Sequence, residues 1–129
     1  MHKIEKKGSN YWLTFSGFIA PEEMKQWVDD SKATLAGASG SFGVFVDMRE
    51  LKPLGNEAKA HMEEGQKLFK MKGMTRSVEI VNSAMTAMQF KRIARDTGIY
   101  EWERYISAAD NPDWEKAGLD WLNNSVDPD

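Results

Sequence analysis

The sequence predicts a single α/β domain with a mostly parallel central sheet. Three observations lead there. "YWLTFS" (Tyr11 to Ser16) alternates apolar and polar residues with a period of two. Several later segments place apolar residues three and four apart, the spacing of a helix face. Between them lie short runs: "FGVFVDM" (Phe42 to Met48) reads as a strand covered on both sides, and "SVEIV" (Ser77 to Val81) as another short, β-branched strand. Strands alternating with helices form a parallel sheet with helices packed on it, joined by right-handed crossovers.

The elements follow in order. His2 to Lys6 is a short strand, "KGSN" (Lys7 to Asn10) a turn, and "YWLTFSGFI" the second arm of a hairpin. In it Tyr11, Leu13 and Phe15 share one face, and Trp12, Thr14 and Ser16 the other. "APEEMKQWVDDSKATLAG" then changes period. Pro21 suits the first helical position, Glu22 and Glu23 complement the positive end of the dipole, and Gly37 marks the stop. Its inward stripe is Met24, Trp27, Val28, Ser31 and Leu35.

After the Phe42–Met48 strand, a helix starts at Asn56 and stops at Gly73, with Ala58, His61, Met62, Gly65, Leu68 and Phe69 inward. Ser83 caps the helix "AMTAMQFKRIARDTG", closed by Gly98. "RYISA" is a last strand. "NPDWEKAGLDWLNN" is a last helix, with Asn111 as cap, Pro112 in first position, and Trp114, Ala117, Trp121 and Leu122 inward. The order is β-β-α-β-α-β-α-β-α: an N-terminal hairpin, a mixed, mostly parallel sheet and four helices. Residues 1–124 form one domain, and 125–129 a short polar tail expected to fray.

That order at this length resembles the STAS domain, and most of all its small stand-alone SpoIIAA-like branch. The resemblance is carried by "YWLTFSGFIAPEEM", "GVFVDMREL" and "ERYISAADNPDWEKAGLDWL" and spans almost the whole chain. In the antagonists of that family, a serine near the start of the helix after the central strand is phosphorylated, which controls binding of an anti-sigma-factor kinase. Alignment on Asp47 places that serine at Gly55 or Asn56. From Met48 through Met74 there is no Ser, Thr or Tyr, so the resemblance implies the scaffold without the switch.

Composition narrows the chemistry. With 41% hydrophobic and 29% charged residues the chain is an ordinary globular protein. A net charge of −3 gives no general attraction to nucleic acid. The absence of cysteine removes disulfides, thiol catalysis and thiolate metal sites, and suits a reducing cytoplasm. No signal peptide opens the chain, and no apolar run approaches the roughly 18 residues a transmembrane helix needs. The expected setting is cytoplasmic.

Only two histidines occur. His2 lies at a terminus expected to be loose, and His61 on an apolar stripe, so neither builds a triad. His61 and Glu64 share a helix face, but two ligands do not make a metal site. "GASGSFG" (Gly37 to Gly43) precedes a strand, the reverse of a phosphate-binding loop. No cofactor is expected.

Ligands of open α/β sheets sit beyond the carboxyl ends of the strands. There the sequence places Asp47, Arg49, Asn56, Asn82 and Ser83, the candidate partner- or ligand-binding residues. Lys91, Arg92 and Arg95 are a candidate surface for anions or lipid headgroups. Met62, Met71, Met74, Met85 and Met88 cluster mid-chain and fit either core or an adaptable apolar surface.

The leading expectation is a non-enzymatic regulatory module that docks a protein partner around Arg49 to Met62. The second is a small apolar or lipid-like ligand, by fold-level resemblance to Sec14-type lipid-transfer domains. The third, an enzyme using Asp47, has only a strand-end carboxylate behind it. Trp102 fits no inward stripe and is the tryptophan to expect at an interface, with a homodimer as one form of it.

Overall fold

The computed structural model describes all residues, Met1–Asp129. Five strands line up in chain order: β1 (His2–Lys7), β2 (Asn10–Gly17), β3 (Phe42–Leu51), β4 (Met74–Val81) and β5 (Glu103–Ser107). β1 is antiparallel to β2, and every other pair is parallel. The helices are α1 (Pro21–Leu35), α2 (Asn56–Lys72), α3 (Ala84–Thr97) and α4 (Trp114–Asn124), with one 3-10 turn at Tyr100–Trp102. The element order and the mixed sheet are those the sequence predicts. No helix is long and apolar enough to cross a membrane.

The sheet divides the core in two. On one face, Tyr11, Leu13 and Phe15 of β2 and Val44, Val46 and Met48 of β3 meet α1, α2 and α3. The buried residues of α1 are Met24, Trp27, Val28, Ser31 and Leu35, as its spacing predicts. On the other face, Phe45, Val78, Ile80 and Ile106 meet Trp121 and Leu122 of α4, while Trp12 stacks on Phe45 at 4.1 Å. The Trp121 indole donates to the Ser77 carbonyl at 3.0 Å. The turn of the β1–β2 hairpin needs Gly8, whose φ of +62° is costly for any residue with a Cβ.

Several details differ from the sequence reading. β3 runs on to Leu51, paired with Ser16 and Gly17 beyond a register shift. Asp47 therefore lies inside the strand, not at its end. In α2, Gln66 is buried while His61 stays half-exposed beside Glu64 at 3.6 Å. α4 begins at Trp114 after Asp113, and Asn111 instead accepts from the Asp113 N–H in the preceding turn. His2 is held rather than loose: Nδ1 lies 2.8 Å from Glu23 and Nε2 2.9 Å from Asp30. The last residues dock too, with Arg104 donating twice to Asp127, at 2.9 and 3.0 Å. Trp102 packs partly against both halves of the core.

α1 and α2 touch through one close approach. A Cβ on Gly65 would lie 2.1 Å from the Trp27 ring, which also meets Phe15 edge-on at 5.2 Å and stacks on Phe69 at 5.9 Å. Gly65→Ala must push Trp27 out of this packing, at a cost of about 1–3 kcal/mol. Gly37→Ala, with open space around it, is the control. Denaturant midpoints should separate the two, with only the first shifted.

Candidate functional site

The carboxyl ends of β2, β3 and β4 open onto a face built from the β2–α1 loop and the first turns of α2 and α3. Phe18 is 69% exposed there, and Met85 and Met88 are 69% and 67% exposed. Asn56 joins them. It lines a shallow hollow with Phe18, Ile19 and Pro21, and a neighbouring one with Lys59, Met85, Met88, Gln89 and Arg92. Large apolar side chains exposed together are uncommon on a free surface, whereas single ones are ordinary.

Gln89 makes this face rigid. Its side chain accepts from the Leu54 N–H at 2.8 Å and donates to the Leu54 carbonyl at 2.7 Å. The Thr86 hydroxyl adds a contact to the Leu51 carbonyl at 3.4 Å. The loop before α2 is thus fastened to α3. Ser83 caps α3 as expected, accepting from Thr86 N–H at 3.3 Å. Asn56 makes no capping bond; Gly55 holds the cap position.

The sequence-predicted residues divide between the two sides of the sheet. Asn56, Asn82 and Ser83 lie at the starts of α2 and α3. Asp47 and Arg49 face α4 instead, because alternate residues of β3 point to opposite sides. Arg49 grips Asp47 through Nε at 3.0 Å and a terminal nitrogen at 2.9 Å, and lies 4.2 Å from the Trp114 ring. Burial alone would raise the Asp47 pKa, but the hydrogen bonds from Arg49 outweigh it and hold it below its ordinary value of 3.8. Of the three basic residues of α3, Arg92 borders the Met85–Met88 hollow. Lys91 and Arg95 lean over Tyr105 and Tyr100 at the β5 edge, at 5.3 and 4.3 Å. The methionines divide as well: Met62 and Met74 are core, and Met71, Met85 and Met88 are exposed.

A second constellation escaped the sequence reading. Glu79 of β4 and Glu103 of β5 are buried on the face covered by α1–α3, at 1% and 4% exposure. Glu103 accepts from the Ser77 hydroxyl at 2.6 Å and from the Tyr105 hydroxyl. Burial raises the pKa of Glu79 well above the carboxylate range, reinforced by the charge of Glu103. Burial raises Glu103 too, offset in part by hydrogen bonds from Glu79, Ser77 and Tyr105. Burial and the two carboxylates push Tyr105 far up, so it stays a donor.

Both carboxyls line an internal cavity of about 30 Å³ with Trp27, Gln66 and Phe90. That is room for a water, against the roughly 300–1,000 Å³ of small-molecule sites. A larger, open hollow of mixed polar and apolar lining, about 670 Å³, lies at the opposite end of the sheet between the hairpin turn and α4. No group of three or more acidic or histidine side chains is arranged to hold a metal.

Two solved structures share this architecture. One is an uncharacterised protein of the DUF3478 family from Shewanella loihica PV-4, described as having a SpoIIAA-like fold. It matches with a TM-score of 0.60 at 21% identity over 95% of this chain and 92% of its own. The other is the anti-sigma-factor antagonist SpoIIAA in its unphosphorylated form, with a TM-score of 0.58 at 11% identity over 90% of this chain and 96% of its own. The protein therefore has a SpoIIAA-like α/β fold, in agreement with the resemblance seen in the sequence. No protein-family model matches the chain, and no curated protein does so either.

Two measurements check this geometry. Gln89→Leu should cost about 1–3 kcal/mol, since it strands both polar groups of Leu54, and equilibrium unfolding reads the loss. The Asp47–Arg49 pair, whose carboxyl pKa is lowered, stabilises the fold fully above the ordinary carboxyl value and loses that contribution as pH falls through the folded value. Acid unfolding of Asp47→Asn should lack this component, leaving a shallower acid limb than in the parent protein.

Proposed function

We propose that this protein is a non-enzymatic protein-interaction module that docks its partner on the face around Asn56, without phosphorylation of the loop beneath it. One observation carries the reading: Phe18, Met85 and Met88, each about two-thirds exposed, converge on one end of the sheet. Apolar anchors with a polar rim, here Asn56, Lys59 and Arg92, are the anatomy of a protein interface. Gln89 supports the reading by holding the anchors in place before binding, which lowers the entropy lost on association.

The SpoIIAA-like fold points the same way, since SpoIIAA itself is an antagonist of an anti-sigma factor. The stretch from Met48 through Met74 offers no hydroxyl to phosphorylate, so docking here does not use a phosphorylated residue in the loop before α2 or in α2 itself. Asp47 and Arg49 sit on the α4 side and contribute to the docking surface only at its margin. A cytoplasmic setting suits the cysteine-free chain. The water-sized interior cavity gives no support to a lipid-like cargo.

Affinity purification from the native host, with quantitative comparison of variants, tests the proposal. Phe18→Asp and Met88→Glu should each weaken capture of one specific partner at least tenfold while leaving the unfolding midpoint nearly unchanged, because both side chains are exposed in the free protein. Arg49→Glu should have a smaller effect. Native mass spectrometry of the same preparation separates the alternatives: a small-molecule adduct lost on denaturation, with no variant-sensitive partner, overturns the docking reading.

A further inference from the structure

Two glutamates on adjacent parallel strands point to the same covered face, and the donors around them are unevenly shared. Ser77 and Tyr105 both donate to Glu103. Glu79 Oε2 has no partner as a carboxylate, and neither has the buried Trp27 Nε1–H, although both side chains line the same water-sized cavity. A buried anion without a donor is among the costliest arrangements in a protein interior. A proton on Glu79 removes that charge and provides the missing hydrogen bond, since Glu79 can then donate to Glu103.

The position of Glu103 adds a second observation. It lines the inner cavity and also an outer cleft of about 280 Å³ at the sheet edge, with Lys91, Tyr100, Glu101, Arg104, Tyr105 and Asp129. Glu103, on the edge strand of the sheet, thus stands between the inner cavity and the outer cleft, with Glu79 behind it on β4. No charged side chain of α1 or α2 lines the cavity; Trp27, Met62, Gln66 and Phe69 do. The cations that α3 brings to this region are Lys91, 5.3 Å from the Tyr105 ring and so on the Glu103 side, and Arg95, 4.3 Å from the Tyr100 ring. Tyr100 and Glu101, from the turn before β5, and Asp129 of the tail border only the outer cleft. Arg104 is held by Asp127.

We infer that Glu79 and Glu103 share one proton in the folded protein, and that this proton latches β5 to the sheet, so that its release as pH rises opens the β5 edge to water. The proton leaves from Glu79 to bulk water by way of the outer cleft. The two carboxylates left behind repel each other in a dry site, and hydrating them requires Glu103 and Tyr105 to swing outward with β5. The sign follows from linkage. A carboxyl whose folded value is raised favours the closed form most below its ordinary value of 4.5. That advantage falls as pH rises from there through the folded value, about tenfold in the opening equilibrium per pH unit for one proton.

Carboxyl-labelled glutamate NMR on the wild-type protein tests the shared proton directly. One glutamate carboxyl should keep its acid form well above the ordinary value of 4.5 and titrate last among the glutamates. Amide-exchange protection in β5 should fall over the same pH range, after correction for the base catalysis of exchange itself, while the β1–β2 hairpin stays protected. In Glu79→Gln, whose amide donates to Glu103 without a titratable proton, β5 protection should be independent of pH. Ordinary titration of every glutamate near 4.5 overturns the inference. So does an unchanged pH dependence of β5 protection in Glu79→Gln. If that variant fails to fold, the wild-type titration alone decides.

Discussion

Trp27 packed directly against Gly65 is the constraint on which the layer above the sheet depends. A glycine in the middle of a helix costs roughly 1 kcal/mol relative to alanine. Here the missing Cβ lets α1 and α2 close to a distance no side chain would permit. The indole fills the gap and reaches Phe15 of β2 and Phe69 of α2 at once, so one ring ties two helices to the sheet. α2 in turn positions α3, through Gln66, which accepts from the Thr97 hydroxyl at 2.8 Å, and through the Gln89 clamp on the loop before α2. The exposed face around Asn56 is thus the far end of a chain of fixed contacts that begins in the core.

The same packing explains the interior cavity. Trp27 is planar and rigid, and the glutamates reach the space beneath it from the opposite side. Neither shape fills the corner between them, and about 30 Å³ remains. Two of the three buried side-chain polar atoms that find no partner in the fold, Trp27 Nε1 and Glu79 Oε2, belong to these opposing walls. The exposed apolar face and the buried acids are therefore separate features: one looks outward from the carboxyl ends of the strands, the other lies under α2 and α3 toward the β5 edge.

Much of the fold was readable from periodicity because most elements are amphipathic in an ordinary way. The α1 stripe, the β2 alternation and the glycines closing α2 and α3 each follow from a local rule. The resemblance to SpoIIAA-like domains also rested on element order, which is what the solved structures share. What escaped was parity. Asp47 and Asn56 read as neighbours along the chain, yet β3 continues to Leu51 and turns Asp47 and Arg49 toward α4. Strand length there is set by pairing with Ser16 and Gly17, which a local reading does not contain. Glu79 was the plainest missed signal, a lone charge between Val78 and Ile80 in a short, β-branched strand. Glu103 gave less, because its strand was read as starting one residue later. Gln89 gave no signal, since its partner is a backbone group 35 residues away.

The two margins of the sheet also bear on how the molecule behaves in a crowded solution. Along β1, Lys3, Lys6 and Lys7 project from the outermost strand and are exposed, and charged side chains on a sheet margin discourage another strand from pairing there. At the opposite margin β5 is only five residues long, and its second residue, Arg104, is engaged by Asp127 near the C-terminus. Neither side presents a long, flat, unguarded ladder of backbone groups. Growth of the sheet from molecule to molecule, the route to fibrils, is discouraged at both ends.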